Sequence, residues 1–292
     1  MNVTAMSRDL KLYLLENRGS KLKVDSVQDN SINLMDTDGN MVVFERYDVN
    51  MGPMSLCAEP WERLNGVSAG DVVEIEFQGL HIFKNDIHLN VMEVDLYNPY
   101  IYLRRAEKDK NILEKRLMII EQVIREDAKL EGISSVVIKD PNKLNAYARY
   151  IGPCLDEFKE ELDAGHDDGA LALVPNFVGF GPGMTPSTDD FLMGVLLILY
   201  VLNQHGNVGL KEFVQGVPQA VQGRTTTLSE QLLKNAAKGK TLEAYKKVLL
   251  ALFSPKRSQL KTICRDMLEV VGISGSDFLT GVYYAKDLIL NW

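Results

Sequence analysis

The chain has 292 residues, 46% of them hydrophobic and 25% charged, with a formal net charge of −8. These values fit a globular protein with a substantial core and enough length for two domains. The acidic balance argues against a general nucleic-acid or anionic-membrane binder, which needs a basic footprint, but allows a small anionic substrate held by local positive potential.

The N-terminus, MNVTAMSRDLKLYLLENRGSK, lacks the apolar core and cleavage site of a signal peptide. The first hundred residues then favour strands. KLKVDSV, SINLMD and MVVFERYDV are short β-prone runs, and Asp38-Gly39 between the last two is a hairpin signal. DVVEIEF alternates cleanly from Asp71 to Phe77, and LHIFKNDIHLNVMEVDL reads as two strands joined by Lys84-Asn85-Asp86. A small antiparallel barrel or sandwich over residues 1–100 is the economical reading.

Beyond Tyr97-Asn98-Pro99 the apolar period changes. Ala106 to Ala128 carries Ile112, Leu113, Leu117, Ile119, Ile120 and Ile124 between charges, which predicts a long amphipathic helix. Further helices are expected from Pro141 to Ala164, Pro186 to Gln204, Thr227 to Lys238, Leu242 to Phe253, Ser258 to Val271 and Ser274 to Leu290, with Ser134 to Asp140 as one isolated strand. The class is therefore α+β, with residues 101–292 forming a mainly helical domain. The longest apolar stretch, Phe191 to Leu202, is interrupted by Gly194 and falls short of the roughly 20 residues that span a bilayer. Cys57, Cys154 and Cys264 form no CxxC pair and signal neither a zinc site nor a disulfide framework, so a reducing cytoplasm is the expected compartment.

The chemistry-bearing stretch is GFGPGMTPSTDDFLMG, Gly179 to Gly194. Ser187 precedes Asp190 by three residues, a capping-box-like spacing, and Asp189 and Asp190 suit the positive end of a helix dipole. The same grammar returns without gaps in Ser274 to Gly281, and both stretches read S-x-x-D-F-L-x-G. A glycine inside a helix costs about 1 kcal/mol relative to alanine. Its repetition at Gly194 and Gly281 points to close approach of another backbone or a ligand at both places; packing of the two helices on each other, with their starts side by side, is one such arrangement. Thr227 and Glu230 make a third capping-box spacing, with Arg224 just ahead.

Helix starts bind phosphates and carboxylates through free N–H groups and the dipole. The loop has no GK[ST], so it is not a Walker A loop, and no Rossmann fingerprint follows a strand. Aspartates beside an anion repel it. They must turn away, bond loop N–H groups, act as acid or base, or hold Mg²⁺ between themselves and the anion. Backbone N–H groups around Gly181, Gly183 and Ser187, and around Ser274 and Ser276, are the candidate anion binders. Thr185, Ser187 and Thr226 are candidate ligand partners, and Arg224 is the candidate neutralising charge. Asp189, Asp190 and Asp277 are the candidate acid/base residues, the first two also the candidate Mg²⁺ ligands; no cofactor is otherwise signalled. Plain helix capping remains an alternative for each start. His81 and His88 are read as structural, His166-Asp167-Asp168 as a loop, and Cys154 and Cys264 as small buried hydrophobes.

These residues resemble a bacterial family signature, G-x-G-P-G-x-T-P-S-G-D-D-F-L-x-G, whose named members are the AllH subunit of oxamate carbamoyltransferase. The resemblance extends to Thr225 to Ser229, Ala236 to Gly239, Gly272 to Asp277, Val27 to Leu34 and Gly52-Pro53. Thr188 stands where the family pattern usually has glycine, so the family's substrate does not carry over automatically.

The resemblance implies transfer of a carbamoyl group between oxamate and phosphate in the breakdown of allantoin-derived nitrogen. It further implies companion subunits, one FdrA-like and one AllG-like. Two other readings stay open: a stand-alone Mg²⁺-dependent hydrolase using the aspartate cluster, and a non-catalytic metabolite-binding or scaffold subunit.

Overall fold

The computed structural model describes residues 1–47, 50–138, 140, 142–206, 208–256 and 259–292. The expected strand end at Asp48-Val49, the expected helix starts at Pro141 and Ser258, and Lys139 of the expected isolated strand lie outside the described residues. The chain divides into two units: Met1–Tyr100 with Thr241–Glu243, and Ile101–Lys240 with Ala244–Trp292.

The first unit runs β1 (Asn2–Ser7), α1 (Arg8–Glu16), β2 (Lys21–Val27), β3 (Ser31–Met35), β4 (Met41–Glu45), β5 (Ser55–Glu59), β6 (Val72–Ile75), β7 (Gly79–Ile82), β8 (Ile87–Asn90) and β9 (Asp95–Tyr97). The strand order β5-β4-β3-β2-β6-β7-β8-β1, closed by β1 against β5, is an eight-stranded barrel; β9 adds a ninth strand beside β1. The expected hairpin at Asp38-Gly39 joins β3 to β4. Asp36 Oδ1 accepts from the N–H groups of Asp38 and Asn40 at 2.9 and 2.8 Å, and Gly39 takes φ +83°.

The barrel is mixed rather than antiparallel throughout, because β4–β5, β1–β8 and β1–β9 pair in parallel. Parallel pairing needs a crossover connection, which strand-by-strand alternation does not reveal. Inward residues such as Met6, Leu22, Leu34, Phe44, Leu56, Ile75, Leu80 and Leu89 are buried and fill the interior, as expected for a barrel of this size. Leu10 and Leu14 of α1, four apart on one helix face, join the same core. Ser7 caps that helix by accepting from Leu10 N–H at 3.0 Å.

The second unit is helical: α2 (Lys110–Asp127), α3 (Ala146–Ala164), α4 (Asp167–Phe177), α5 (Ser187–His205), α6 (Lys211–Ala220), α7 (Thr227–Ala236), α8 (Glu243–Phe253), α9 (Leu260–Val271), α10 (Ile273–Tyr284) and α11 (Lys286–Leu290). Every residue of α5 from Ser187 to Leu199 is buried. A helix apolar on all sides must be enclosed on all sides, so α5 is the centre of this unit. Among the described residues no helix is long and apolar enough to cross a membrane.

Three local expectations change. Ser134–Val137 is a 3₁₀ turn, not a strand, since a carboxylate of α10 takes the N–H groups at its start. Asp167 and Asp168 lie in the first turn of α4, where the helix dipole favours them, and not in a loop. The last expected helix breaks at Ala285 into α10 and α11.

Candidate functional site

The glycine pair sets the geometry. A Cβ built on Gly194 would lie 2.5 Å from Phe278 O and 2.9 Å from Val282 N; one built on Gly281 would lie 2.8 Å from Phe191 C. Each helix thus presents its glycine to the backbone of the other, the backbone case of the close approach that the echo implies, and no side chain fits at either glycine of this crossing. The two helix starts meet as a result. Thr185 Oγ1, on the loop entering α5, lies 3.0 Å from Ser274 Oγ in the first turn of α10.

The three aspartates are buried, at 0%, 1% and 0% exposure for Asp189, Asp190 and Asp277. They do different work. Asp189 Oδ1 accepts from Gly179 N–H at 2.7 Å, while Oδ2 accepts from the Thr225 hydroxyl and from Ser229 Oγ at 2.6 Å. One carboxylate therefore clasps the glycine loop, the segment before α7 and α7 itself to the start of α5. Burial raises its pKa, and the three donors oppose the rise.

Asp190 Oδ2 accepts from Thr185 Oγ1 at 3.0 Å. Its Oδ1 faces the Tyr245 hydroxyl at 3.5 Å, and Tyr245 stacks on Phe278 with ring centroids 3.9 Å apart. Burial drives the Asp190 pKa well above the ordinary carboxylate value; the Ser274 hydroxyl pulls against it, and the Asp277 charge adds to it. Asp277 Oδ1 accepts from Ile133 and Ser134 N–H at 2.8 and 3.1 Å. Burial lifts its pKa to about 7, with Ser187 and those two N–H groups working against the rise. Yet neither Asp277 Oδ2 nor Ser187 Oγ, both buried, closes a hydrogen bond among the described residues. Gly132 lies against this carboxylate, and a Cβ there would fall 2.6 Å from Oδ1.

Ser187 does not cap α5. Pro186 holds the N-cap position, and no side chain caps this start. The capping-box reading fails because Asp190 turns to Thr185 and Tyr245, and because the positive-φ glycines 179, 181 and 183 deliver the loop from another direction. Gly181 leaves the room that Ser187 occupies: a Cβ there would sit 2.6 Å from Ser187 Cβ and 2.9 Å from its Oγ. Gly183 is exposed at φ +102°.

Thr188 is fully buried, and its hydroxyl lies 2.6 Å from Phe177 O and 2.9 Å from Phe180 O. It ties the glycine loop to the end of α4. At the third start the cap is Thr226, one residue earlier than the spacing suggests: its Oγ1 accepts from Ser229 N–H at 3.1 Å and donates to Met184 O at 2.7 Å. Glu230 Oε2 accepts from Gly223 N–H at 2.9 Å.

Two family models match the chain. Residues 177–286 match "Oxamate carbamoyltransferase subunit AllH", and residues 2–97 match the "AllH family N-terminal domain". The chain belongs to the AllH family. No curated protein and no solved structure matches it. The first AllH match opens at the glycine loop and closes just after α10, so it contains the loop, the clasp and both halves of the echo.

Within this AllH unit, Thr185, Ser187, Asp190, Ser274 and Asp277 lie at the paired helix starts. Asp189 and Thr226 lie behind them in the loop clasp. Ser276 turns to α2's end, its Oγ accepting from Lys129 N–H at 2.9 Å and lying 3.2 Å from Gly272 O. Arg224 is exposed; a Cβ on Gly179 would meet its carbonyl oxygen, so its backbone lines the loop. Asp189 and Asp190 do not converge on one point, and both Asp189 oxygens already have donors. Tyr245 and Gly132 were not legible as site residues, since a lone Tyr in an apolar helix and a Gly in a polar loop carry no chemical signature.

Proposed function

We propose that this AllH chain is the subunit of a carbamoyltransferase complex that holds an anionic carboxylate or phosphate at the paired starts of α5 and α10. The reaction moves a carbamoyl group between oxamate and phosphate carriers: oxalurate and phosphate on one side, oxamate and carbamoyl phosphate on the other. FdrA-like and AllG-like chains are its companions.

One observation carries the reading. Among the described residues, Ser187 Oγ and Asp277 Oδ2 are buried polar atoms with no fully formed hydrogen bond, Ser187 only favouring the charged form of Asp277, at the place where two helix N-termini meet. A buried unpaired polar group costs about 1–3 kcal/mol, so its retention calls for a reason, and a ligand supplies one. The raised pKa values of Asp190 and Asp277 weaken the objection that aspartates repel an anion. A protonated carboxyl is neutral and donates a hydrogen bond. Ser187, Thr185 and Ser274 bind the anion beside backbone N–H groups, Asp190 or Asp277 exchanges a proton with the transferred group, Asp189 positions the loop, and Arg224 neutralises charge at the rim.

The test is reconstitution. This chain is mixed with its FdrA-like and AllG-like companions, oxamate and carbamoyl phosphate are supplied, and oxalurate and phosphate are measured. Formation that requires all three proteins is the expected result. Equal formation when this chain is omitted would sink the proposal.

A further inference from the structure

The barrel carries a second cluster of chemistry-bearing side chains. His81 of β7 and His88 of β8 are directly opposite each other in the antiparallel register. Opposed residues share one face of the sheet, and these two rings stack with centroids 4.1 Å apart and planes 9° apart. Glu76 follows β6 and continues its pairing, its N–H donating to Gly79 O at 2.8 Å. This places its carboxylate beside both rings: Oε2 lies 3.0 Å from His88 Nδ1, and Oε1 lies 3.6 Å from His81 Nδ1.

The opposite ring nitrogens share another carboxylate. Asp86 Oδ1 lies 3.0 Å from His81 Nε2 and 3.6 Å from His88 Nε2. The turn between β7 and β8 makes this possible, with Asp86 in the left-handed region at φ 48°, which aspartate tolerates better than most residues.

We propose that Glu76, His81 and His88 bind a divalent transition-metal ion of the zinc type, with Asp86 orienting both imidazoles. One N–H from each ring can satisfy the two carboxylates, His81 Nε2 to Asp86 and His88 Nδ1 to Glu76, each at 3.0 Å; ion binding instead selects the tautomer with Nε2–H on both rings. With Nε2–H directed at Asp86, both Nδ1 lone pairs are left for an ion on the Glu76 side. That is the arrangement in which a ligating histidine donates its other N–H to a second carboxylate.

The three ligand atoms lie within 4.8 Å of one another. Zinc bonds of about 2.0–2.2 Å to nitrogen and oxygen bring ligands to roughly 3.4 Å apart, so on ion binding the two rings must turn out of their parallel stack to aim both Nδ1 lone pairs at one point. The His88 side chain is 57% exposed and the His81 side chain 15% exposed, which gives an ion a path in and leaves a solvent-side position for water. Two histidines and one carboxylate suit zinc, cobalt or nickel rather than the all-oxygen shells of magnesium or calcium. The site would tie three consecutive strands, β6, β7 and β8, on the outside of the barrel.

The full untagged chain, stripped with a chelator, is titrated with Zn²⁺ against a chromophoric competitor at pH 7.5, and with Co²⁺ by its visible absorption. One equivalent bound with micromolar or tighter affinity is expected. H88A, at an exposed position, should weaken binding at least tenfold, and E76Q and D86N about tenfold each, with unchanged far-ultraviolet circular dichroism. The proposal is overturned if the wild-type chain binds no Zn²⁺ at about 100 μM. It is also overturned if H88A and E76Q both bind as tightly as the wild type.

Discussion

Substituting Gly194 with alanine tests the geometry on which the site rests. In an ordinary helix the change is favourable by about 1 kcal/mol. Here the new Cβ would lie 2.5 Å from Phe278 O and 2.9 Å from Val282 N. Ordinary contact begins at 3.4 Å, so α5 and α10 must part by roughly 0.9 Å, and neither obstructing atom can rotate away because both are backbone. Overpacking of this kind costs about 1–3 kcal/mol and occasionally more. With backbone on both sides of the crossing, the upper end of that range applies, and the net loss after the propensity gain is about 2 kcal/mol. For a unit of this size that is a fall in Tm of roughly 4–8 °C.

Parting the helices also stretches the Thr185–Ser274 contact, now 3.0 Å, so activity of the reconstituted complex should fall with stability. The assay is thermal unfolding followed by the helical signal at 222 nm, with G275A as comparison. There the nearest obstruction is Met267 Cε at 3.2 Å, the end of a flexible side chain, and a loss below about 1 kcal/mol is expected. A G194A variant as stable as the wild type, or more stable, would refute the close crossing.

Three further predictions concern the charges. Because burial raises the Asp277 pKa in the folded chain from 3.8 to about 7, its contribution to stability is present below pH 3.8 and is lost as pH rises toward 7. D277N removes this term, so the stability of wild type relative to D277N should fall by up to about 4 kcal/mol between pH 4 and pH 8; parallel profiles in urea melts at the two pH values would contradict it. D189A strands the N–H of Gly179 and the hydroxyls of Thr225 and Ser229, and should cost at least about 2 kcal/mol in a urea melt. D189N keeps one acceptor oxygen and should lose less. R224A should leave Tm unchanged and raise the KM for carbamoyl phosphate about tenfold, or about 1.4 kcal/mol, with a larger effect at low salt.

The sequence read as residues went furthest where a pattern implied a physical contact. The gapless echo around Gly194 and Gly281 calls for close approach of a backbone or a ligand, and the crossing of α5 and α10 supplies the backbone. The Asp38-Gly39 turn and the two strands around Lys84-Asn85-Asp86 were equally legible, because turn residues act locally. What failed depended on partners distant in sequence. Ser187 has the right spacing for a cap, but Pro186 takes that position and Gly181 packs against the serine instead. Ser134–Val137 is β-prone by composition, yet Asp277, some 140 residues away, takes the N–H groups that start its turn. Asp189 was indistinguishable from Asp190 in sequence. The structure separates them because neighbouring residues on a helix point about 100° apart, one into the loop clasp and one toward Thr185 and Tyr245. The pairing of His81 with His88 needed the register of β7 on β8, which a spacing of seven does not specify.

The most direct measurement is the activity of S187A in the reconstituted complex. Ser187 Oγ is buried and forms no full hydrogen bond among the described residues, so its removal takes away only its weak hold on the Asp277 carboxyl. Stability should be unchanged or rise by up to about 1–3 kcal/mol, because a buried hydroxyl without a full hydrogen bond is removed. The rate of oxalurate formation from oxamate and carbamoyl phosphate should fall at least tenfold, which corresponds to about 1.4 kcal/mol of lost binding or transition-state stabilisation. An S187A chain with wild-type rate and wild-type KM for both substrates would contradict an anion site at the paired helix starts.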